Sequence, residues 1–396
     1  MTTPLQPLPL PASTSVRRST ASLSYAQWVR HAISQSSNAF VLFDSSVDEP
    51  KTLLQETIIK VFGNTVSDRY TSAFVNGNPF ALKALSRRYQ IPEEYILTTS
   101  AATTAISLVY RAYLKPGDHI LVETPRFDLL ETTAEGMDVD VEDFQRTAPN
   151  YKIDIEGLRR QIRSNTRLIV LSDLHNPSGA LLSEGELQAL TGIASEFGLK
   201  IVVDEVYGDY AERARPRSAA EASPDVIAIN SLTKIYGLST LRFGWVFASP
   251  ETLAPIRDTA ARYDFTSSNL THAIASLVLE DDQRFDAYRQ DVMNRTRPIM
   301  ERAFTNLANQ GLIEGSMPSY GCICFPKLVG IADTNAFSDW LAVNHNVRVA
   351  PGEYFGAPGF VRIGFAKEPF GMTAALERFT IGLHQYQTAP TRAIPA

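Results

Sequence analysis

Between residues 95 and 248 the chain alternates short apolar, β-branched runs with stretches of helical periodicity. That alternation limits the fold more than any other feature of the sequence. The runs are Tyr95–Thr99, His119–Glu123, Leu168–Ser172, Lys200–Asp204, Val226–Asn230 and Gly244–Ala248. Several, such as LIVL and IVV, are uninterrupted by polar residues. Strands of this kind are buried on both faces, as in a mostly parallel sheet covered by helices. The helical stretch Ser183–Phe197 carries its own punctuation. Ser183 can cap it, Glu186 stands three residues on, and Gly198 follows its end. A β–α–β–α order of this kind predicts a doubly wound α/β domain.

Beyond about Asp281 the texture changes. A long charged helix is expected over Asp286–Gln310, then strands near Tyr320–Pro326, Val347–Val349 and Phe360–Phe365, and a closing helix over Thr373–Gln385. This predicts a smaller α+β domain. The expected layout is an N-terminal arm over 1–43, a large domain over 44–285 and a small C-terminal domain over 286–396. The first residues are rich in Pro, Ser and Thr. With Pro7, Pro9 and Pro11 they predict a disordered tail or a partner-draping arm rather than a helix. The acid-free, arginine-bearing start is also the bias of an organelle transit peptide.

Bulk composition excludes several function classes. The 396 residues are 44% hydrophobic and 20% charged, which suits a packed globular protein. A net charge of −6 argues against a nucleic-acid surface. No apolar run approaches the ~20 residues of a membrane helix. Cys322 and Cys324 are the two cysteines. Two apart in an expected strand, they would share a face, with packing rather than metal binding as their role. Without a disulfide framework, a reducing, cytoplasmic setting is expected.

Three reactive groups, Asn176, Asp204 and Lys234, stand at or just past the C-terminal ends of expected strands. Ligands of open α/β sheets bind at that edge. Lys234, in SLTKIYG, is flanked by small and apolar residues. Desolvation there would favour a neutral amine able to condense with an aldehyde; the plainer alternative is a surface loop charge. Asp204 ends the apolar run KIVVD. It is either paired with a cation, such as a protonated pyridine nitrogen, or a helix N-cap. Tyr207, and Asn176 in HNPSG, can hydrogen-bond a phenolic oxygen, and Asn176–Pro177 is a turn dipeptide with the option of a cis bond. Arg242, eight residues after Lys234, suits a phosphate, with Ser231 and Thr233 assisting. Ala101, Ala102 and Thr103 follow a strand and open a helix, so their N–H groups also suit a phosphate. Arg262, in ARYDFTSS, is a candidate anchor for an acidic substrate side chain, against an ordinary solvated helix charge.

HNPSG, DEVY and SLTK, with an arginine eight residues on, occur in that order. Together with YTSAFVNGNP, ETPRFD and VAPGEYFG…GFVRIGFA they resemble the class I/II aminotransferases, the aspartate-aminotransferase-like branch of fold-type I pyridoxal-5'-phosphate (PLP) enzymes. The resemblance runs from about Asp44 to the end of the chain. It implies PLP as cofactor, held by Lys234 as a Schiff base, and an amino group moved between an amino acid and a 2-oxo acid. Lys234 would also carry the proton. Asp204 would face the pyridinium nitrogen, and Tyr207 and Asn176 the ring hydroxyl. Phe127 would stack on the ring. Ala101, Ala102, Thr103, Ser231, Thr233 and Arg242 would hold the phosphate. Tyr70 would reach the phosphate of the other subunit of a homodimer. Arg362, in VRIGF, would grip the substrate α-carboxylate in a two-pronged bond, beside Asn176. Two departures stand out. Alanines replace the usual glycine or serine of the phosphate turn, and the loop FDSSVDEP lacks the family's usual glycine.

The same chemistry allows a C–S lyase, decarboxylase, synthase or oxidase as the alternative. A PLP-binding regulatory protein is remote, because too few residues precede the domain for a DNA-binding module. A nicotinamide dehydrogenase is disfavoured by the lack of G-x-G-x-x-G after an early strand.

Overall fold

A computed structural model describes residues 24–34, 40–73, 77–211, 217–264 and 268–388. The Pro/Ser-rich start, for which a disordered tail was expected, lies outside the described residues. The organising element is an eight-stranded sheet. Its strands in chain order are β1 (Ile96–Thr99), β2 (His119–Thr124), β3 (Asp140–Thr147), β4 (Lys152–Ile153), β5 (Thr166–Ser172), β6 (Lys200–Asp204), β7 (Val226–Ser231) and β8 (Gly244–Phe247). Their spatial order is β1-β8-β7-β6-β5-β2-β3-β4. The pairs β7/β6, β6/β5, β5/β2 and β2/β3 are parallel. β8 runs antiparallel to both β7 and β1, and β4 antiparallel to β3. The mixed, mostly parallel sheet expected from the apolar runs is therefore present.

Strand alternation sends successive side chains to opposite faces. On one face Leu168, Val170, Val202 and Ile227 pack against helices Ala102–Tyr113 and Pro250–Tyr263. On the other, Ile169, Leu171, Ile201 and Val203 meet Leu187, Leu190 and Ile193 of helix Glu184–Phe197. That last helix has the expected capping box between Ser183 and Glu186, and Gly198 closes it in a left-handed conformation.

A second core gathers Met300, Phe304 and Leu307 of the long helix Asp282–Asn309 with Val361, Ile363, Phe337, Leu341, Phe379 and Leu383. Its sheet is smaller than expected. Only Ile323–Cys324 of the seven-residue Tyr320–Pro326 run is a strand, paired with Val361–Gly364. Gly321, at φ +83°, turns the backbone just before it, and Pro326 has no N–H to donate. Cys322 falls outside that two-residue strand, and the two cysteines join different clusters rather than sharing a face. Cys322 packs beside Tyr207 and Val47, while Cys324 joins the second core. Both are buried and free. Within the expected arm, Tyr25–Ser34 forms a helix whose Tyr25 and Trp28 pack on Phe43, Phe325 and Phe355. No helix among the described residues is long and apolar enough to cross a membrane.

Candidate functional site

Strand pairing brings the reactive ends together. Ser172 lies opposite Asp204, and Ser231 and Thr99 both lie opposite Gly244. The C-terminal ends of β1, β5, β6 and β7 thus line one edge, with the start of β8 among them. Lys234 follows β7 in a helical turn, Leu232–Tyr236. Its ammonium donates to Ser45 Oγ at 3.0 Å, and its carbonyl accepts from the Tyr210 hydroxyl at 3.0 Å. Burial draws the lysine pKa down, against the opposing pull of Asp44. Gly237 ends the turn at φ +71°, where a Cβ would stand 2.4 Å from the Val47 carbonyl. A glycine therefore lets the loop bearing Ser45 close over the lysine.

Asp204 is buried at the tip of β6. Oδ1 accepts the Val206 N–H at 3.2 Å, a partial form of the capping role. Burial pushes the carboxyl up to about 6, while the Val206 N–H and Lys234 pull the other way. Tyr207 is 1% exposed, and its hydroxyl has no hydrogen-bond partner of good geometry, although Ser45 lies near it. Burial raises the pKa of this phenol and keeps it protonated.

Arg362 stands on strand Val361–Gly364 and is 1% exposed. Nη1 donates to Asn176 Oδ1 at 2.8 Å, and Nη2 donates to the Phe43 carbonyl at 3.1 Å and to the Tyr25 hydroxyl. The guanidinium lies over the rings of Phe355 and Tyr25, 4.7 and 5.0 Å from their centroids. Asn176 is fixed from behind, since its N–H donates to Ser172 Oγ at 2.9 Å. The Asn176–Pro177 bond does not take the cis option; among the described residues the cis bonds are Thr124–Pro125, Ala148–Pro149 and Asp173–Leu174. The loop closes through Gly179, whose N–H donates to the His175 carbonyl at 2.7 Å.

Ala101 caps helix Ala102–Tyr113 at φ +102° and ψ 168°, a region that suits glycine. Ala102 opens the helix and Thr103 is exposed. A Cβ on Gly244 would lie 2.6 Å from Ala101 C, so β8 abuts this turn closely. Ser231 is buried, Thr233 half-buried, and Arg242 exposed at φ +50°. Phe127 meets the Tyr25 ring edge-on at 5.7 Å. Tyr70 is 52% exposed, and Arg262 is exposed on helix Pro250–Tyr263. Neither hydrogen-bonds to or stacks on Lys234 or Arg362 in this chain.

Sequence reasoning missed Tyr25, Ser45 and Tyr210. It also missed a buried support beneath Asn176. Arg146 Nη1 donates to Glu123 at 2.9 Å, and Glu123 accepts the Ser172 N–H at 2.8 Å and the Ser172 hydroxyl. Strand alternation gave one signal, because Arg146 shares its face with Phe144, the inward residue of β3.

The edge therefore assembles a half-buried amine of lowered pKa, a buried carboxyl, a buried phenol without a well-formed hydrogen bond and a buried arginine. Comparison with known proteins agrees with that chemistry. Residues 67–379 match the family Aminotransferase class I and II. An aspartate aminotransferase of Streptomyces avermitilis is 24% identical over 332 residues, 78% of this chain and 80% of that protein. Capreomycidine synthase of Streptomyces vinaceus is 26% identical over 280 residues, 69% of this chain and 71% of that protein. Among solved structures, a PLP-dependent aminotransferase from Streptococcus suis superposes with a TM-score of 0.82 at 26% identity, covering 92% of this chain and 98% of that one. The chain belongs to the class I and II aminotransferases and is a PLP-dependent enzyme that moves an amino group between an amino acid and a 2-oxo acid.

Proposed function

We propose that transamination takes place at the sheet edge around Lys234, with Lys234 as the covalent anchor of PLP. The carrying observation is the buried Tyr207 hydroxyl without a well-formed hydrogen bond, near the same Ser45 that accepts from the half-buried amine of Lys234. A buried polar group left unsatisfied is costly, and the ring hydroxyl of the cofactor would satisfy it. The remaining donors fit the group as well. Asp204, held as an anion by a cationic ring nitrogen, would keep that nitrogen protonated. Asn176 adds a second contact to the ring hydroxyl, and Phe127 provides the stacking face. The N–H groups of Ala101 and Ala102, with Thr103, Ser231, Thr233 and Arg242, would hold the phosphate at a helix start.

When bound, PLP supplies an aldehyde that takes up the amino group and an electron-poor ring that stabilises charge at the substrate Cα. Arg362 and Asn176 hold the substrate carboxylate and so orient the Cα–H bond towards Lys234. Lys234, drawn towards its neutral form by burial, would take that proton and hold it for return. Ser45, hydrogen-bonded to the lysine amine, keeps it aimed between transfers. In a homodimer, the exposed Tyr70 of each copy reaches the phosphate of the other.

Borohydride treatment of the PLP-loaded enzyme, followed by peptide mass analysis, tests the anchor. The cofactor's mass is expected on residue 234. A label on another lysine, or full turnover by Lys234→Ala, would refute the assignment. The match to capreomycidine synthase favours a second reading, a synthase-type outcome. Sustained product formation from an amino acid without any oxo acid would select it.

A further inference from the structure

A guanidinium has five N–H donors, four of them on its two terminal nitrogens. In Arg362 three terminal hydrogens are engaged: by Asn176 Oδ1, by the Phe43 carbonyl and by the Tyr25 hydroxyl. One is left, on Nη1. Nε also has no partner, but a side-on grip would pair its hydrogen with one on the adjacent Nη2, whose two hydrogens are both engaged. A carboxylate gripped end-on needs a hydrogen from each terminal nitrogen. The two-pronged bond expected from the sequence therefore lacks one prong as the site stands.

None of the three acceptors is loosely held. Asn176 is tied through its N–H to Ser172. Phe43 follows Leu42, whose N–H donates to the Arg348 carbonyl and whose carbonyl accepts the Gly364 N–H. Tyr25 is wedged as well. Its N–H donates to Asp128 Oδ2 at 2.7 Å, and its ring packs on Phe127 and Phe355 at 5.7 and 5.4 Å. The Tyr25 hydroxyl accepts from Arg362, which leaves its own hydrogen to give, and no described residue takes it. Burial raises its pKa, so the hydrogen is retained.

We propose that Tyr25 completes the carboxylate clamp: the substrate carboxylate takes one hydrogen from Arg362 Nη1 and the other from the Tyr25 hydroxyl. The N-terminal helix Tyr25–Ser34 thereby contributes directly to substrate binding. The clamp rests on the reading that Arg362 takes the substrate carboxylate, and the experiment separates the two.

Butanoate, with butanamide as control, is titrated into PLP-loaded wild-type, Tyr25→Phe and Arg362→Ala enzymes, followed by cofactor absorbance. Tyr25→Phe keeps the ring contacts and removes only the hydroxyl. It should weaken butanoate binding roughly 10- to 100-fold, the effect of losing a hydrogen bond to a charged group. Butanamide binding and cofactor content should not change. KM for amino donors should rise far more than kcat falls. Equal or tighter butanoate binding by Tyr25→Phe overturns the clamp. That outcome would mean that Tyr25 competes with the ligand for Nη2. If Arg362→Ala loses butanoate while Tyr25→Phe does not, only the clamp fails. If Arg362→Ala also binds it normally, the assignment of Arg362 falls and the clamp falls with it.

Discussion

Replacing Asp204 by Asn should stabilise the cofactor-free protein while disabling the enzyme. The carboxyl is buried at the end of β6, accepts one backbone hydrogen bond and is raised to about 6 from an ordinary 3.8. Below the unfolded value both states carry the proton, and the residue exacts no pH-dependent cost. Between the two values the folded chain keeps a proton that the unfolded chain releases, so stability falls as pH rises and levels off above the folded value. The difference of about two units corresponds to roughly 3 kcal/mol. Asn retains an acceptor for the Val206 N–H but has no charge to desolvate. The variant should therefore match wild type near pH 4 and exceed it by up to about 3 kcal/mol at pH 8, a thermal midpoint several degrees higher. PLP should remove the advantage, because a cationic ring nitrogen offsets the buried anion in wild type alone. Turnover should fall by more than about 100-fold, since the loss of one partner from a buried charge pair costs about 3–5 kcal/mol. Thermal unfolding of both proteins, with and without PLP at the two pH values, reads each part. An equal offset at both pH values, or a less stable variant at pH 8 without cofactor, would refute the reasoning.

Three further outcomes are expected. Ala101→Gly relieves a backbone conformation costing about 1–3 kcal/mol, less roughly 0.5–1 kcal/mol for glycine's added freedom. Its thermal midpoint should rise, and a fall would contradict the strain. Gly244→Ala drives a Cβ to 2.6 Å from Ala101 C and must displace the turn at a cost of about 1–3 kcal/mol. Weaker PLP affinity in a fluorescence titration is expected, and unchanged affinity would separate this turn from the phosphate. Mixing inactive Tyr70→Phe and Lys234→Ala subunits should restore about a quarter of wild-type activity, because each hybrid dimer rebuilds one intact site. No recovery in demonstrated heterodimers would end the role given to Tyr70.

Much of the fold could be read along the chain because its signals are local. The runs LIVL and IVV announce strands covered on both faces, and Ser183, Glu186 and Gly198 mark a helix from cap to cap. The edge holding Asn176, Asp204 and Lys234 follows from the same reading, since each stands where a strand ends. Tyr320–Pro326 misled because β-prone composition cannot report the turn at Gly321.

The sequence alone determined the strand and helix periodicities and the reactive residues at strand ends, because those depend on neighbours a few residues apart. Tertiary structure decided which groups touch. Tyr25 meets Arg362 across 337 positions, and Ser45 meets Lys234 across 189. Glu123 and Arg146 pair beneath Asn176 only because β2 and β3 are neighbours in the sheet. Such contacts depend on sheet register and on how the two cores pack, and no local pattern of residues encodes either.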